Sequence, residues 1–292
     1  MERLQALFIN PVLNKEIKLR FRSFKNFLGI FLFLAICGAV SLAFIYIETQ
    51  LSHDSFTASD SRNLFMLLSM GQLGLIVFIT PGLTAGAISG EREKQTLNIM
   101  LTTQQSSTSI ILSKLFSSIL FLTLMLVASL PLYSIVFLYG GVSPQMVFAT
   151  FGYQLLTMLT IGSIGIMFST FMKKTMLATI TTYGMMLFFV VGTMILFFIM
   201  IRFILGVTPG PTGAGQSNNI LPYLVLMLNP GVAMFTSFED LFLHQFQQLG
   251  IDWPLWRGFT LSYITMTVVA LLMAINRLRP SMRLKTARKK KE

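Results

Sequence analysis

Residues 88–103 read ISGEREKQTLNIMLTT. Glu91, Arg92, Glu93 and Lys94 are consecutive charges, too costly to hold in hydrocarbon, so a membrane span must end here. After them Leu97, Met100 and Leu101 recur at i, i+3 and i+4, which predicts one apolar face on a short helix. Such a helix between two spans either lies on the lipid surface or offers its face to a partner. Long apolar stretches flank it on both sides, and the whole chain has that character. Of 292 residues, 54% are hydrophobic and 11% charged, with a mean hydropathy of +0.72. A soluble domain carries about 25% charged residues. The chain reads as a polytopic membrane protein.

The apolar runs predict six spans, at about 27–47, 64–88, 115–139, 147–171, 176–201 and 259–275. Pro81 should kink or loosen span 2, and Pro131 falls inside span 3. Gly82, Gly86 and Gly90 repeat every fourth residue, a small-residue face for packing within one subunit or for a dimer contact. The Gly/Pro-rich stretch 206–219 breaks the pattern. The apolar run 221–238 is interrupted by Asn229-Pro230-Gly231, so it predicts two short helices dipping into the outer leaflet, not a seventh span. Beyond the turn, helical spacing continues through Phe235, Phe238, Phe242, Phe246 and Leu249.

Charge placement supports this count. The net charge is +11, yet only three of the 22 lysines and arginines (Arg62, Arg202 and Arg257) fall outside if both ends are cytoplasmic. That is the positive-inside pattern, and it accounts for the basic balance without a nucleic-acid partner. Residues 1–26 predict an interfacial helix, with Leu13, Ile17, Phe21, Phe24 and Leu28 on one stripe and Lys15, Lys18, Arg22 and Lys25 on another. Residues 276–292 form a basic tail that contacts anionic lipid or simply fixes topology.

Several chemistries are excluded or weak. No GxxxxGK[ST] loop is present, so no P-loop nucleotide site is expected. Cys37 is the one cysteine, which rules out a disulfide within the chain or a Cys-rich metal site. The predicted span cores hold no Asp, Glu, His, Lys or Arg, which argues against a membrane enzyme and a proton-coupled carrier. Asp240 and His244 at i, i+4, beside Glu239, read as a surface helix rather than a metal site. Met185, Met186 and Phe189 belong to a Met- and Phe-rich face of span 5 that lines a path for greasy substrates or simply faces lipid.

The order Glu-Arg-Glu, two residues, Thr-Leu and an apolar run after the second span resembles the ABC-2 permease family of ABC transporters. The basic turn and alanine-bearing helix of FSTFMKKTMLATITTYGMML (168–187) resemble it more weakly. The resemblance implies an all-α polytopic membrane protein of six transmembrane helices. It adds an N-terminal interfacial connecting helix, a cytoplasmic coupling helix between spans 2 and 3, and outer re-entrant helices before span 6. It implies ATPase coupling through Glu91, Arg92, Glu93, Thr96, Leu97, Met100 and Leu101, with Lys15, Lys18 and Arg22 on a connecting helix that also touches the ATPase. Gln95 stands where the family often has Gly; a segment that is simply helical has no need of Gly there.

The implied assembly is two permeases, identical or paralogous, with cytoplasmic ABC ATPase subunits, in a prokaryotic plasma membrane. This chain itself binds no cofactor; ATP is used by the partner. Charge-free spans suit export of a hydrophobic or amphipathic cargo, such as an antimicrobial peptide, drug or lipid-like molecule. A non-transporting sensor or assembly factor driven by an associated ATPase is the alternative, with a membrane enzyme behind it.

Overall fold

Apolar runs of this length can bury their backbone polar groups in lipid only as helices, and the computed structural model is helical throughout. It describes residues 17–18, 22, 24–51, 56–97, 107–206, 220–238 and 253–289, with no strand among them. In chain order the elements are α1 (Phe24–Tyr46), α2 (Ala58–Thr84), α3 (Ser89–Glu93), α4 (Ser107–Ala128), α5 (Leu130–Tyr139) and α6 (Pro144–Phe171). There follow α7 (Thr175–Leu187), α8 (Thr193–Gly206), α9 (Leu221–Leu226), α10 (Pro230–Phe235) and α11 (Leu255–Lys289). A π turn, Ile47–Leu51, ends α1, and another, Phe188–Gly192, joins α7 to α8.

Among the described residues, six helical stretches are long and apolar enough to cross a membrane: Phe27–Gln50, Ala58–Glu93, Ser107–Tyr139, Pro144–Phe171, Thr175–Phe203 and Leu255–Leu278. Span 4 is the most enclosed, packed against spans 2, 3, 5 and 6, whereas spans 1 and 5 are the most open. Its glycines explain the closeness. A Cβ on Gly165 would lie 2.3 Å from the Thr84 hydroxyl oxygen and 3.1 Å from the Thr84 Cβ, so spans 2 and 4 touch nearly backbone to backbone.

The prolines act differently from one another. Span 2 continues past Pro81 to Thr84 before a turn leads into α3. Span 3 breaks at Ser129, and Pro131 sits in the first turn of α5, where its missing N–H costs nothing. Gly82 and Gly90 both face span 5, their would-be Cβ atoms 3.2 Å from the Tyr183 hydroxyl and 3.5 Å from Thr175 Cγ2, so those two pack within the subunit. Gly86 meets nothing within 4 Å.

The spans are free of charge in their middles but not of polar groups. Gln72 of span 2 donates to the Ser129 hydroxyl at 2.9 Å and accepts from the Tyr133 hydroxyl of span 3. Gln154 of span 4 donates to the Ser69 carbonyl at 3.2 Å. Ser69, Gln72, Ser129, Tyr133 and Gln154 are all buried, so this cluster pins spans 2, 3 and 4 in register.

The run 221–238 is two short helices, α9 and α10, split at Asn229. The expected continuation through Phe242, Phe246 and Leu249, with Glu239, Asp240 and His244, lies outside the described residues. So do residues 1–16, including Lys15. Lys18 and Arg22 are exposed, and Arg22 N–H donates to the Lys18 carbonyl at 3.1 Å.

Candidate functional site: a charged clasp at one end of the bundle

The charged residues that end span 2 are held by the ends of three other spans. Ser89 and Ile88 come first: both backbone N–H groups donate to the Ser169 hydroxyl of span 4 at 2.9 Å, seating the start of α3 on α6. That contact satisfies helix-start donors that have no partner within the helix. Each of the next charges then meets a different element.

Glu91 takes the Lys114 ammonium of span 3 at 3.2 Å and the Thr96 hydroxyl. Lys114 is 5% exposed, so this carboxylate offsets part of the cost of burying its charge. Arg92 donates to the Met172 carbonyl at 2.8 Å and the Thr170 carbonyl at 3.1 Å, capping the carbonyl end of α6. A cation at a helix C-terminus also meets the favourable end of the helix dipole. Glu93 accepts from the Thr175 N–H at 2.9 Å and the Thr175 hydroxyl at 2.8 Å, so a carboxylate caps the first turn of α7. Arg277 of span 6 lies over the Phe171 ring, 5.5 Å from its centroid. The tripeptide Glu-Arg-Glu therefore clasps the ends of spans 3, 4 and 5.

Two sequence expectations are corrected here. The segment is not simply helical through Gln95. Helix α3 stops at Glu93, Thr96 N–H donates to the Glu91 carbonyl at 3.0 Å, and Gln95 N–H donates to the Arg92 carbonyl at 3.1 Å. That pair of bonds is a Schellman motif, and it puts Gln95 at φ +59°. The left-handed conformation is the reason glycine suits this position. The second correction concerns the apolar face. Leu97 is 7% exposed, packed with Ile88, Ile110, Ile111, Leu115 and Leu278 in the chain's own core. It does not sit on a free surface. Met100 and Leu101 lie outside the described residues.

Gln95→Gly relieves the left-handed strain at the cost of a freer unfolded chain, and should stabilise the protein by about 0.5–1 kcal/mol. A higher thermal midpoint of the purified protein in detergent is the expected reading; a lower one contradicts the turn.

The residues expected to line a substrate path sit in different surroundings. Phe189 is buried with Ile164 and Ala270, Met186 is half-buried against the core shared by spans 1 to 4, and Met185 is exposed. No group of three or more His, Cys, Asp or Glu residues that could hold a metal occurs among the described residues. What sequence reasoning missed is the partner set of the clasp: Lys114, Ser169, Thr170, Met172 and Thr175. The Lys173-Lys174 turn was the one visible hint, since it places helix ends beside the charged segment.

No curated protein matches the chain. The model of the ABC-2 family transporter proteins does match it, over residues 11–279, and so takes in the clasp, all six candidate spans and the two short helices. The chain therefore belongs to the ABC-2 family, as a multi-pass membrane permease of an ABC transporter and not an enzyme.

Proposed function

We propose that the chain is one permease of an ATP-driven exporter for hydrophobic or amphipathic compounds. It pairs with a second permease, identical or paralogous, and with two cytoplasmic ABC ATPases that bind and use the ATP. Both termini and the clasp lie on the cytoplasmic side, a reading supported by the one-sided lysines and arginines. The observation that carries the mechanism is the bonding of Glu91, Arg92 and Glu93 to spans 3, 4 and 5. These three residues act as transmitters. A displacement delivered by the ATPase to this segment moves the ends of those spans together, as a rigid body. Docking on the ATPase falls to Met100 and Leu101, because Leu97 is committed to the core.

Transmission and docking predict different failures. Purified alone, the chain should hydrolyse no ATP above background, since it offers no phosphate-binding loop. Coexpressed with its ATPase and reconstituted in inside-out vesicles, the wild type should accumulate rhodamine 6G on addition of Mg-ATP. Arg92→Leu should keep the ATPase bound and hydrolysing while dye transport falls at least tenfold. Loss of the bound ATPase would instead make Arg92 a docking residue, and unchanged transport would remove the clasp from the mechanism.

A further inference from the structure

Span 5 is wound in two ways. Residues 188–192, FFVVG, form a π turn between α7 and α8. A π turn shifts the hydrogen-bond ladder by one residue, and here a side chain from outside the span completes it. Asn229 Nδ2 donates to the Val190 carbonyl at 2.7 Å and to the Thr193 hydroxyl at 3.0 Å, while that hydroxyl donates to the Phe189 carbonyl. The Asn229 Oδ1 accepts from the N–H groups of Gly231 and Val232 at 3.0 and 3.1 Å, capping α10. Asn229 is 3% exposed and Thr193 is fully buried, so these bonds have no water to replace them. Gly192 is also constrained: a Cβ there would lie 2.8 Å from Phe188 Cδ2, across the turn itself.

The two halves of span 5 are attached to different elements. Helix α7 is bonded to the clasp through Thr175 and Glu93, and to span 2 through the Tyr183 hydroxyl on the Phe78 carbonyl at 2.9 Å. Helix α8 packs on α9, with Phe197 buried among Tyr223, Leu226, Val232 and Leu255. The turn carrying Asn229 is fixed in its turn by span 6: Tyr263 donates to the Leu228 carbonyl at 2.9 Å and Ser262 to the Met227 carbonyl at 3.3 Å. We propose that the π turn Phe188–Gly192 is the pivot of span 5, and that Asn229 is the positioning residue that sets its angle. The clasp half of span 5 then moves with the clasp and the ends of spans 2, 3, 4 and 6 around it, and the other half stays with α9, α10 and the opposite end of span 6. The use of this pivot in transport rests on the permease reading, but the pivot itself is a property of the chain alone.

The test needs no ATPase and no substrate. In a Cys37→Ala background, spin labels at Leu177 and Ile199 straddle the π turn, roughly 33 Å apart along an ideal helix. Labels at Leu177 and Phe116 both lie on the clasp side. All three positions are exposed. In lipid nanodiscs, Asn229→Leu should at least double the width of the Leu177–Ile199 distance distribution and leave the Leu177–Phe116 distribution unchanged. Gly192→Ala, with Asn229 intact, should shift the mean of the first distribution and again spare the second. If Asn229→Leu does not fold, Gly192→Ala decides alone. An unchanged first distribution, or equal broadening of both, overturns the proposal. A missing or inactive ATPase cannot produce either result, so failure here is distinct from failure of the permease reading.

Discussion

Glu91→Ala should destabilise the purified permease by about 2–4 kcal/mol, because it takes the carboxylate from a buried ammonium. Lys114 is 5% exposed and Glu91 28%, so the loss falls below that of a fully enclosed pair and well above that of a surface one. The control is the double variant Glu91→Ala with Lys114→Met. Removing both charges eliminates the desolvation problem, and a methionine is an apolar, unbranched side chain suited to a position only 5% exposed. At least half of the single-variant loss should therefore return. Equilibrium unfolding in detergent measures both. Equal losses in the single and double variants would mean that the pair contributes little. Glu93→Ala supplies a scale, since its carboxylate is exposed and caps a helix, so its loss should be the smaller of the two.

Gly165→Ala is expected to cost about 2–3 kcal/mol through overpacking between spans 2 and 4. The added carbon would sit 2.3 Å from the Thr84 hydroxyl oxygen and 3.1 Å from the Thr84 Cβ, so the obstruction is the Thr84 side chain. Thr84 cannot easily turn away, because its hydroxyl donates to the Thr80 carbonyl at 2.8 Å inside the buried face. Combining Gly165→Ala with Thr84→Ala removes the nearest atom but leaves the Thr84 Cβ, 3.1 Å from the new carbon. Rescue should thus be partial, with a coupling of about 1–2 kcal/mol. Full additivity of the two variants would show that the helices do not meet at this point.

The spans were legible because lipid imposes a length and a composition, and both are visible in one dimension. The break at Asn229-Pro230 was legible for a similar reason, as a turn signal within an apolar run. Glu91, Arg92 and Glu93 stood out as charges at a span end, but their roles did not. Their partners lie far along the chain at Lys114, Thr170, Met172 and Thr175, and no local spacing encodes that meeting. Leu97 fits an apolar helical face whether that face is turned outward or into the core, so its burial was not readable. Gln95 was misread because side-chain type alone does not reveal a left-handed turn made by a non-glycine residue. The π turn has no composition of its own, and only the closing bond from Asn229 exposes it.

The buried cluster of Ser69, Gln72, Ser129, Tyr133 and Gln154 bears on how the chain is made. As each segment leaves the ribosome it enters the bilayer in order, and span 3 arrives with Ser129 and Tyr133 in its second half. Their hydroxyls find Gln72 on a segment already inserted, whereas the Gln154 amide reaches Ser69 only when span 4 follows. The hydrophobicity of any one of these segments therefore understates its final tenancy in lipid. The buried polar bonds of spans 2 and 3 are therefore complete only once span 4 is in place.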